Sequence, residues 1–310
     1  MHILVTGGAG FIGSHLVDAL LEAGHDVTVF DNLSTGRREQ VSAAAHFCQG
    51  DIRDEAALQT LFQEGHFDVV FHEAAQTQVP YSLAHPQEDA ELNVIGLINV
   101  LEQCRLHGVQ KFIYSSSAAV YGDNPKVPLV ESEPLAPTSF YGLTKVAAEK
   151  YIQLYGDLFG LPYAILRYAN VYGERQGNGG EGGVVSLFAR ALARGEDLTI
   201  FGDGEQSRDF VYVKDVARAN LAAMAPDVAP GIYNISTQIE TTINALKEIL
   251  LYFSHAGVAV SYGEARKGDI SRSALANGKA REALQWRPKM KLLPGLMATY
   301  QYFVDKEEAE

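Results

Sequence analysis

Tyr141 and Lys145 are a pair of residues whose types and spacing could do chemistry. They stand four residues apart in a segment with a helical pattern, so their side chains lie on one face of the helix, one turn apart. A free tyrosine has a pKa of about 10 and is a poor base at neutral pH. A neighbouring ammonium group favours the phenolate. We therefore expect Lys145 to lower the pKa of Tyr141 toward the working range of a general base, and its ammonium could also bind ribose hydroxyls.

The same spacing occurs at Tyr302 and Lys306, so spacing alone does not identify a site. Location separates the two pairs. Tyr141 follows the fifth predicted strand and its serine run at 115–117, at the edge where a doubly wound sheet presents its ligands. The hydroxyl of Ser117 could hydrogen-bond a reacting oxygen there. The run could also be a simple polar strand end.

A glycine-rich string follows the first predicted strand and opens a helix. Residues 6–13 read TGGAGFIG, which satisfies G-x-G-x-x-G at Gly8, Gly10 and Gly13 and a looser pattern that begins at Gly7. Glycine is needed because the turn is tight and a pyrophosphate must lie against bare backbone, beside the unpaired N–H groups of the helix N-terminus. In this strand–turn–helix setting the string predicts a dinucleotide site; the alternative is merely a tight turn.

Two aspartates follow the second and third predicted strands. Asp31 stands eighteen residues after Gly13. A carboxylate there accepts hydrogen bonds from the adenosine ribose hydroxyls and repels a 2′-phosphate, which favours NAD over NADP. Arg37 and Arg38 leave some tolerance of NADP open, and a strand-end cap is the other interpretation of Asp31. Asp51 is a candidate for a contact with adenine, and a structural aspartate at a turn is the other interpretation.

The first two-thirds of the chain alternates short apolar runs with helical patterns, as parallel βαβ units do. This pattern predicts an α/β fold with a Rossmann-type doubly wound parallel sheet, formed by residues 1–172 and completed by segments within 209–237. A smaller C-terminal substrate-binding part is predicted from residues 173–208 and 238–310. The predicted strands cover 3–6, 27–30, 46–49, 69–72, 111–115 and 163–167, and predicted helices begin near Phe11, Glu55, Gln87, Tyr141 and Gly182.

The segment 92–101 is apolar at seven of its ten positions. A helix that is apolar on all sides must be covered on more than one side. A partner subunit could provide this cover, and so could the core of a single chain. The pattern leaves both interpretations open.

The composition limits the partners that we expect. The chain has 310 residues, 47% of them hydrophobic, and a formal net charge of -13. Such a charge disfavours non-specific binding to nucleic acid, and an anionic substrate would need basic residues supplied locally. Apolar runs fall short of the roughly 20 residues of a membrane-spanning helix, and the first residues lack the pattern of a secretory signal. We therefore expect a cytoplasmic protein without nucleic-acid or membrane partners.

The cysteines and histidines do not indicate a metal or a disulfide. Cys48 lies in a predicted strand and Cys104 in a predicted helix, so two reduced, packed thiols are expected. The nine histidines do not join a cysteine or carboxylate cluster at a metal-ligand spacing. We therefore predict that the protein holds no metal.

The motifs taken together resemble the extended short-chain dehydrogenase/reductase family and, within it, the UDP-glucose 4-epimerases. The resemblance covers nearly the whole chain. Its marks are 6–13, 31–34 (DNLS), 50–52 (GDI), 74–76 (AAQ), 114–122 (YSSSAAVYG), Tyr141-x-x-x-Lys145, 167–173 (RYANVYG), 183–185 (GVV), 201–204 (FGDG) and 208–211 (RDFV).

The resemblance implies a role for each matching position. Ser117, Tyr141 and Lys145 would be the catalytic residues. NAD would be held by Tyr141 and Lys145 and by Gly7, Gly10, Phe11, Ile12, Gly13, Asp31, Asn32, Ser34, Asp51, Ile52, Ala74, Ala75 and Gln76. A UDP-sugar substrate would be held by Ser117, Asn170, Val185, Arg208 and Arg266. Two guanidinium groups on a diphosphate make chemical sense because arginine forms bidentate, charge-assisted bonds with phosphate oxygens.

The resemblance also implies a reaction. In the family mechanism the tyrosine takes the proton of the sugar 4-hydroxyl while hydride passes to NAD, the 4-keto sugar turns on its diphosphate, and hydride returns to the opposite face. UDP-glucose and UDP-galactose are the implied pair, and a homodimer is the implied assembly. Ser273 falls where family members with a bulky residue reject N-acetylated sugars, so its small side chain predicts that UDP-GlcNAc and UDP-GalNAc are also accepted.

The two residues directly after Ser117 disfavour alternative activities within the family. The 4,6-dehydratases carry Asp-Glu just after the catalytic hydroxyl residue, and the decarboxylases carry a Glu in that region. This chain has Ala118 and Ala119, which cannot transfer a proton. A dehydratase, a decarboxylase or a UDP-glucuronate epimerase is therefore the second hypothesis, and a non-catalytic NAD-binding regulator is a remote one. The sequence leaves open which sugar is used, and whether the base is uridine or deoxythymidine.

Overall fold

The computed structural model describes residues 1–177, 183–265 and 270–309. The strands in this part of the chain are β1 (His2–Thr6), β2 (Asp26–Asp31), β3 (His46–Gln49), β4 (Val69–His72), β5 (Lys111–Ser117), β6 (Tyr163–Tyr168), β7 (Asn170–Tyr172), β8 (Leu198–Phe201), β9 (Ser207–Tyr212), β10 (Gly231–Ile235), β11 (Glu240–Thr242), β12 (Val260–Gly263) and β13 (Arg272–Ser273).

The helices vary more in length than the strands. A π-helical segment, Glu91–Gly96, precedes α5, and a 3-10 turn, Ala118–Tyr121, follows β5. The α-helices are α1 (Phe11–Glu22), α2 (Glu55–Gly65), α3 (Val79–Ala84), α4 (Pro86–Ala90), α5 (Leu97–Leu106), α6 (Phe140–Phe159), α7 (Val184–Ala193), α8 (Val213–Ala223), α9 (Ile243–Ser254), α10 (Gly278–Ala283) and α11 (Leu292–Ala309).

Within the described residues, seven strands form one parallel sheet in the order β10-β6-β5-β4-β1-β2-β3. Strands covered on both faces are apolar throughout, and β1 shows why. Val5 packs into the core on one face of the sheet and Leu4 into the core on the other, and both are fully buried. The predicted fold class, a doubly wound parallel sheet of Rossmann type, is confirmed.

The predicted elements of the large sheet agree closely with the structure. The strands predicted at 46–49 and 69–72 have the same bounds as β3 and β4, while β5 continues past its predicted end at 115 to Ser117. The helix predicted near Gly182 is α7, which begins at Val184; Gly182 itself lies outside the described residues. The segment predicted to complete the sheet contributes β10.

A second core lies beyond the large sheet. It is built around β7, β9, β11 and β13, and around the pair β8–β12. Buried side chains from α7, α9 and α11, among them Phe188, Leu246 and Leu296, fill it. These strands were not predicted from the sequence, because they are short and most of them lack a clear alternation of apolar and polar residues. The predicted division into two parts stays a prediction.

The apolar segment 92–101 is covered mainly by its own chain. Leu97, Val100 and Leu101 are fully buried between the sheet and the neighbouring helices, whereas Ile95 is 51% exposed. Burial within the monomer therefore accounts for most of this pattern. In the described part of the chain, a helix that is both long and apolar enough to cross a membrane is not found.

A buried ion pair fixes α6 against the sheet. Arg167 of β6 and Glu149 of α6 are each 1% exposed, and the guanidinium donates to both carboxylate oxygens, at 2.9 and 2.6 Å. Arg167 also donates to the hydroxyl of Tyr121, and Ser116 of β5 donates to Glu149 at 2.6 Å. Because every charged group has partners, the pair can persist in the interior. It sets the position of the helix that carries Tyr141 and Lys145.

Candidate active site

A cleft of about 430 Å³ opens at the carboxyl ends of the parallel strands. One wall comes from the turns after β1, β2 and β4, and the floor from the ends of β5 and β6. The opposite side comes from the first turn after β7 and from Arg208, Ile270 and Ser273. This is the edge at which open α/β sheets bind their ligands.

The glycine turn forms the base of one wall of the cleft. Gly7 has φ +71, and a Cβ there would lie 2.5 Å from the backbone nitrogen of Ala74. A Cβ on Gly13 would lie 2.2 Å from the carbonyl oxygen of Gly7. Helix α1 begins at Phe11 after Gly10, which has no side chain to cap it. The turn therefore presents bare backbone N–H groups to the cleft, as a pyrophosphate requires.

Asp31 lies beside the glycine turn at the end of β2. Its carboxylate accepts hydrogen bonds from the backbone N–H groups of Ala9, at 3.0 Å, and Leu33, at 2.8 Å. Burial raises the pKa of Asp31, and these two hydrogen bonds oppose the shift. The residue therefore holds the two loops together, as a strand-end cap does, and it also lines the cleft; its contact with ribose stays a prediction. The remaining acceptor capacity suits ribose hydroxyls.

Most of the predicted cofactor contacts meet on this wall. The residues placed there are Gly7, Gly10, Phe11, Ile12, Gly13, Asp31, Asn32, Ser34, Ile52, Ala74 and Ala75, while Tyr141 and Lys145 line the same cleft at its floor. The bare turn, the uncapped helix start and the carboxylate fit a dinucleotide such as NAD. Among the described residues, a cluster of His, Cys, Asp or Glu able to hold a metal ion is not found.

Two predicted cofactor contacts lie away from the wall. Asp51 accepts a hydrogen bond from Asn32 at 2.9 Å and pairs with Arg53, so it supports a wall residue instead of lining the cleft. Gln76 donates through its side chain to Asp89, at 2.6 Å, and its backbone N–H donates to Asn93. Both side chains are thus engaged with neighbouring protein groups.

Ser117, Tyr141 and Lys145 converge on the floor of the cleft. Ser117 ends β5, and the other two lie one turn apart on α6, which begins where the side chain of Ser139 accepts a hydrogen bond from the N–H of Gly142. The ammonium nitrogen of Lys145 lies 5.8 Å from the centre of the Tyr141 ring and donates to the carbonyl oxygen of Ser115 at 2.8 Å. The structure brings the three predicted residues together in one cleft, and their catalytic roles stay a prediction.

The protonation of the catalytic pair differs from the prediction. Burial raises the pKa of Tyr141, and a hydrogen bond with Ser117 opposes this rise. Burial also lowers the pKa of Lys145 to about 8. The pKa of Tyr141 is therefore raised and not lowered as expected, because desolvation disfavours both the phenolate and the ammonium.

Glu73 is a cleft residue that the sequence reasoning missed. It follows β4, and its carboxylate accepts a hydrogen bond from the hydroxyl of Ser115 at 2.6 Å. The Ser115 hydroxyl also lies 2.8 Å from the hydroxyl of Tyr168, and the Tyr168 hydroxyl accepts a hydrogen bond from the side-chain amide of Asn220. Burial raises the pKa of Glu73 to about 7, and its charge raises the pKa of Lys145. An acidic residue between a buried strand and the alanine pair at 74–75 was the available signal.

The predicted substrate contacts divide into three groups. Asn170 and Arg208 line the cleft, the latter on β9 between β11 and β13. Val185 differs from the expectation, because its side chain is 1% exposed and packs into the second core. Arg266 lies outside the described residues. Ser273, which pairs with Arg208 in the strand register, lines the cleft as its predicted role requires.

Residues 3–236 match the model of the NAD dependent epimerase/dehydratase family. The chain therefore belongs to this family. It is 41% identical to the UDP-glucose 4-epimerase of Mycolicibacterium smegmatis over 314 residues, which cover 99% of this chain and 100% of that protein.

Two solved structures extend the comparison. The UDP-glucose 4-epimerase of Thermotoga maritima with UDP-glucose is 45% identical and superposes with a TM-score of 0.96, covering all of both chains. The UDP-N-acetylglucosamine 4-epimerase of Methanobrevibacter ruminantium, in complex with UDP-N-acetylmuramic acid, is 37% identical, with a TM-score of 0.93 and 98% coverage of both chains.

Proposed function

We propose that this chain is an NAD-dependent isomerase that epimerises a UDP-hexose at carbon 4 through a transient 4-keto sugar, with UDP-glucose and UDP-galactose as its substrate pair. The observation that carries the proposal is the convergence of Ser117, Tyr141 and Lys145 in one cleft with the glycine turn. The names of the relatives point to the same reaction.

The roles of the three residues follow from their chemistry. As the phenolate, Tyr141 accepts the proton of the sugar 4-hydroxyl, becomes the neutral phenol, and later returns the proton. Ser117 hydrogen-bonds the same region and orients the reacting oxygen. The Lys145 ammonium stabilises the phenolate that must form in a buried site, where charge is otherwise costly. When bound, NAD supplies the acceptor and donor of the hydride at carbon 4.

The same cleft disfavours elimination of water from the sugar. Ala118 and Ala119 both line it, directly after Ser117, and neither can transfer a proton. Glu73 is the carboxyl group that the sequence reasoning did not anticipate here. It is engaged with Ser115, and its backbone adjoins Gly7 of the dinucleotide turn, so we place it on the cofactor side.

The proposal is tested by incubating the purified protein, without added NAD, with a panel of UDP-sugars and separating the 4-epimers by chromatography. UDP-glucose and UDP-galactose are expected to interconvert without net formation of NADH. A 4-keto-6-deoxy sugar would indicate a dehydratase, and loss of the carboxyl carbon from UDP-glucuronate a decarboxylase. If no product formed with any UDP-linked or dTDP-linked sugar, the result would instead favour the hypothesis of a non-catalytic NAD-binding regulator.

Glu73 is expected to set the alkaline limit of the activity. Burial lowers the pKa of Lys145 to about 8, and the negative charge of Glu73 opposes this lowering. In Glu73→Gln the ammonium therefore loses its proton at lower pH, and the alkaline limb of the pH profile of kcat/KM moves to lower pH. The matched control is Glu64→Gln, an exposed carboxylate on α2. An alkaline limb at the same pH in both variants would contradict the role of Glu73.

The small side chain at Ser273 supports a second pair of substrates, UDP-GlcNAc and UDP-GalNAc. Ser273 lines the cleft, so a large residue there would take the space of an N-acetyl group. In Ser273→Tyr we expect kcat/KM for UDP-GlcNAc to fall about fivefold to a hundredfold relative to UDP-glucose, because an overfilled pocket costs about 1–3 kcal/mol. Ser261→Tyr, on β12, serves as the control. An unchanged ratio of the two activities would refute this prediction.

We also propose that the protein is a homodimer that pairs through α6. One side of this helix carries large apolar side chains that are exposed in the monomer, including Leu143 (52%), Leu154 (52%) and Leu158 (69%). Ile95 and Leu106, before and at the end of α5, extend the patch. Exposed apolar side chains grouped along one helix face are typical of an interface.

We propose the cytoplasm as the location of the protein. Both cysteines are free thiols, which suits that compartment.

The dimer is tested by light scattering after gel filtration. The wild type should have twice the mass of the 33.7 kDa chain, and Leu154→Asp combined with Leu158→Asp should reduce it to one chain. Two buried carboxylates in an apolar contact remain unpaired, which opposes association. Leu293→Asp, at an exposed leucine on α11, should leave the mass unchanged. A monomeric wild type would refute the proposal.

A further inference from the structure

A second, smaller pocket of about 70 Å³ adjoins the cofactor wall of the cleft. We call it the arginine pocket and define it by five of the residues that line it, Arg37, Arg175, Arg190, Arg194 and Lys306. Lys306 and Tyr302, the pair that repeats the Tyr141–Lys145 spacing, belong to its wall and not to that of the cleft. The chain as a whole carries a net charge of -13. Five cationic side chains around one small pocket therefore run against its overall composition.

The nearby carboxylates neutralise only part of this charge. Glu307 pairs with Arg194 at 2.8 Å, Asp18 pairs with Arg175 at 2.7 Å, and Glu39 lies 3.5 Å from Arg37. Within the described residues, these three carboxylates pair with three of the five cations.

Two guanidinium nitrogens in the pocket are buried without a hydrogen-bond acceptor. They are Nη1 of Arg175 and Nε of Arg190, considered within the described part of the chain. Burial lowers the pKa of Arg190, and the charges of Arg194 and Arg37 act in the same direction. A buried donor without a partner is costly, so an acceptor in the pocket would stabilise the arrangement.

The position of the pocket relates it to the dinucleotide. Phe11, Thr35 and Gly177 line both the arginine pocket and the cleft. Thr35 and Arg37 belong to the loop that follows Asp31, the predicted ribose contact. A ligand in the pocket would therefore lie next to the adenosine end of a bound cofactor. The volume suits a group of a few heavy atoms.

We propose that the arginine pocket binds a phosphate dianion beside the adenosine end of the cofactor cleft. Guanidinium groups form paired, charge-assisted hydrogen bonds with phosphate oxygens, and several of them can surround one tetrahedral anion. The dianion has two sources, free inorganic phosphate or the 2′-phosphate of NADP. Asp31 opposes the second source, because a carboxylate at the predicted ribose position would repel a 2′-phosphate.

The first arm of the test measures the binding of inorganic phosphate by calorimetry on the full chain, with chloride keeping the ionic strength constant. The test variant combines Arg37→Gln and Lys306→Gln, which line the rim and leave the buried Arg190 in place. The control combines Lys126→Gln and Arg281→Gln, which remove the same charge elsewhere on the surface. Affinity for phosphate should fall at least about tenfold in the test variant and stay unchanged in the control.

The second arm separates the two sources by comparing NADP with NAD. If the test variant weakens NADP and not NAD, while inorganic phosphate alone does not bind, the pocket takes the cofactor-borne phosphate. The proposal is overturned if both pairs of substitutions weaken phosphate equally, or if neither phosphate nor NADP depends on Arg37 and Lys306. It is also overturned if saturating NAD displaces phosphate completely, because the anion then occupies the pyrophosphate position.

Discussion

Replacement of Tyr141 by phenylalanine should reduce kcat for the conversion of UDP-galactose by about a hundredfold to ten-thousandfold. The substitution removes the oxygen that accepts the 4-hydroxyl proton and leaves the ring in place. NAD should remain bound, because the glycine turn and Asp31 are unchanged. The initial rate at saturating substrate measures the effect, and the absorbance of released NAD checks that the cofactor is retained.

The chain provides a matched control for this experiment. Tyr302 and Lys306 have the same spacing on α11, but they line the arginine pocket. Tyr302→Phe should therefore keep the wild-type kcat for UDP-galactose. If Tyr141→Phe were as active as wild type, the assignment of the general base would be wrong.

Replacement of Arg167 by methionine should lower the free energy of unfolding by about 3–5 kcal/mol, the typical cost of leaving one partner of a buried ion pair alone. Glu149 would remain in the interior without its guanidinium partner, and Tyr121 would lose a donor. Urea unfolding of the full chain measures the effect. Because α6 carries Tyr141 and Lys145, activity should fall with stability.

Two further variants separate the effect of burying the ion pair from the effect of removing one charge. Arg105→Met removes a pair with Glu102 that is about one-third exposed, and such surface pairs contribute about 0–1 kcal/mol. Arg167→Met combined with Glu149→Leu removes both buried charges and should recover part of the stability. If Arg167→Met and Arg105→Met lost the same stability, the buried pair would not hold α6 as described.

Local patterns were sufficient to predict the cofactor half of the molecule. The glycine turn at 6–13 lies in one continuous stretch, because its strand, turn and helix start each have their own sequence signal. The large sheet could be predicted for the same reason. Strands covered on both faces are apolar throughout, and the helices between them carry a separate period.

Contacts between distant parts of the sequence could not be predicted in this way. Arg167 and Glu149 were not recognised as a pair, since a buried ion pair leaves no local pattern. The pKa of Tyr141 is raised mainly by burial, and burial of a single side chain cannot be read from spacing. Val185 stands in a family motif, yet its side chain packs inward at the start of α7. Motif membership does not determine which way a side chain points.

The order of the strands has a consequence for how the molecule comes apart. The chain leaves the large sheet after β6, builds β7 to β9, and returns for α8 and β10 before it leaves again. Neither core is therefore formed by one continuous stretch of the sequence. Cleavage of the chain at any single peptide bond would not produce a fragment that consists of one complete core alone. We therefore expect the two cores to unfold in one cooperative transition. A substitution that destabilises either core should then disrupt the cleft, because both cores contribute residues to it.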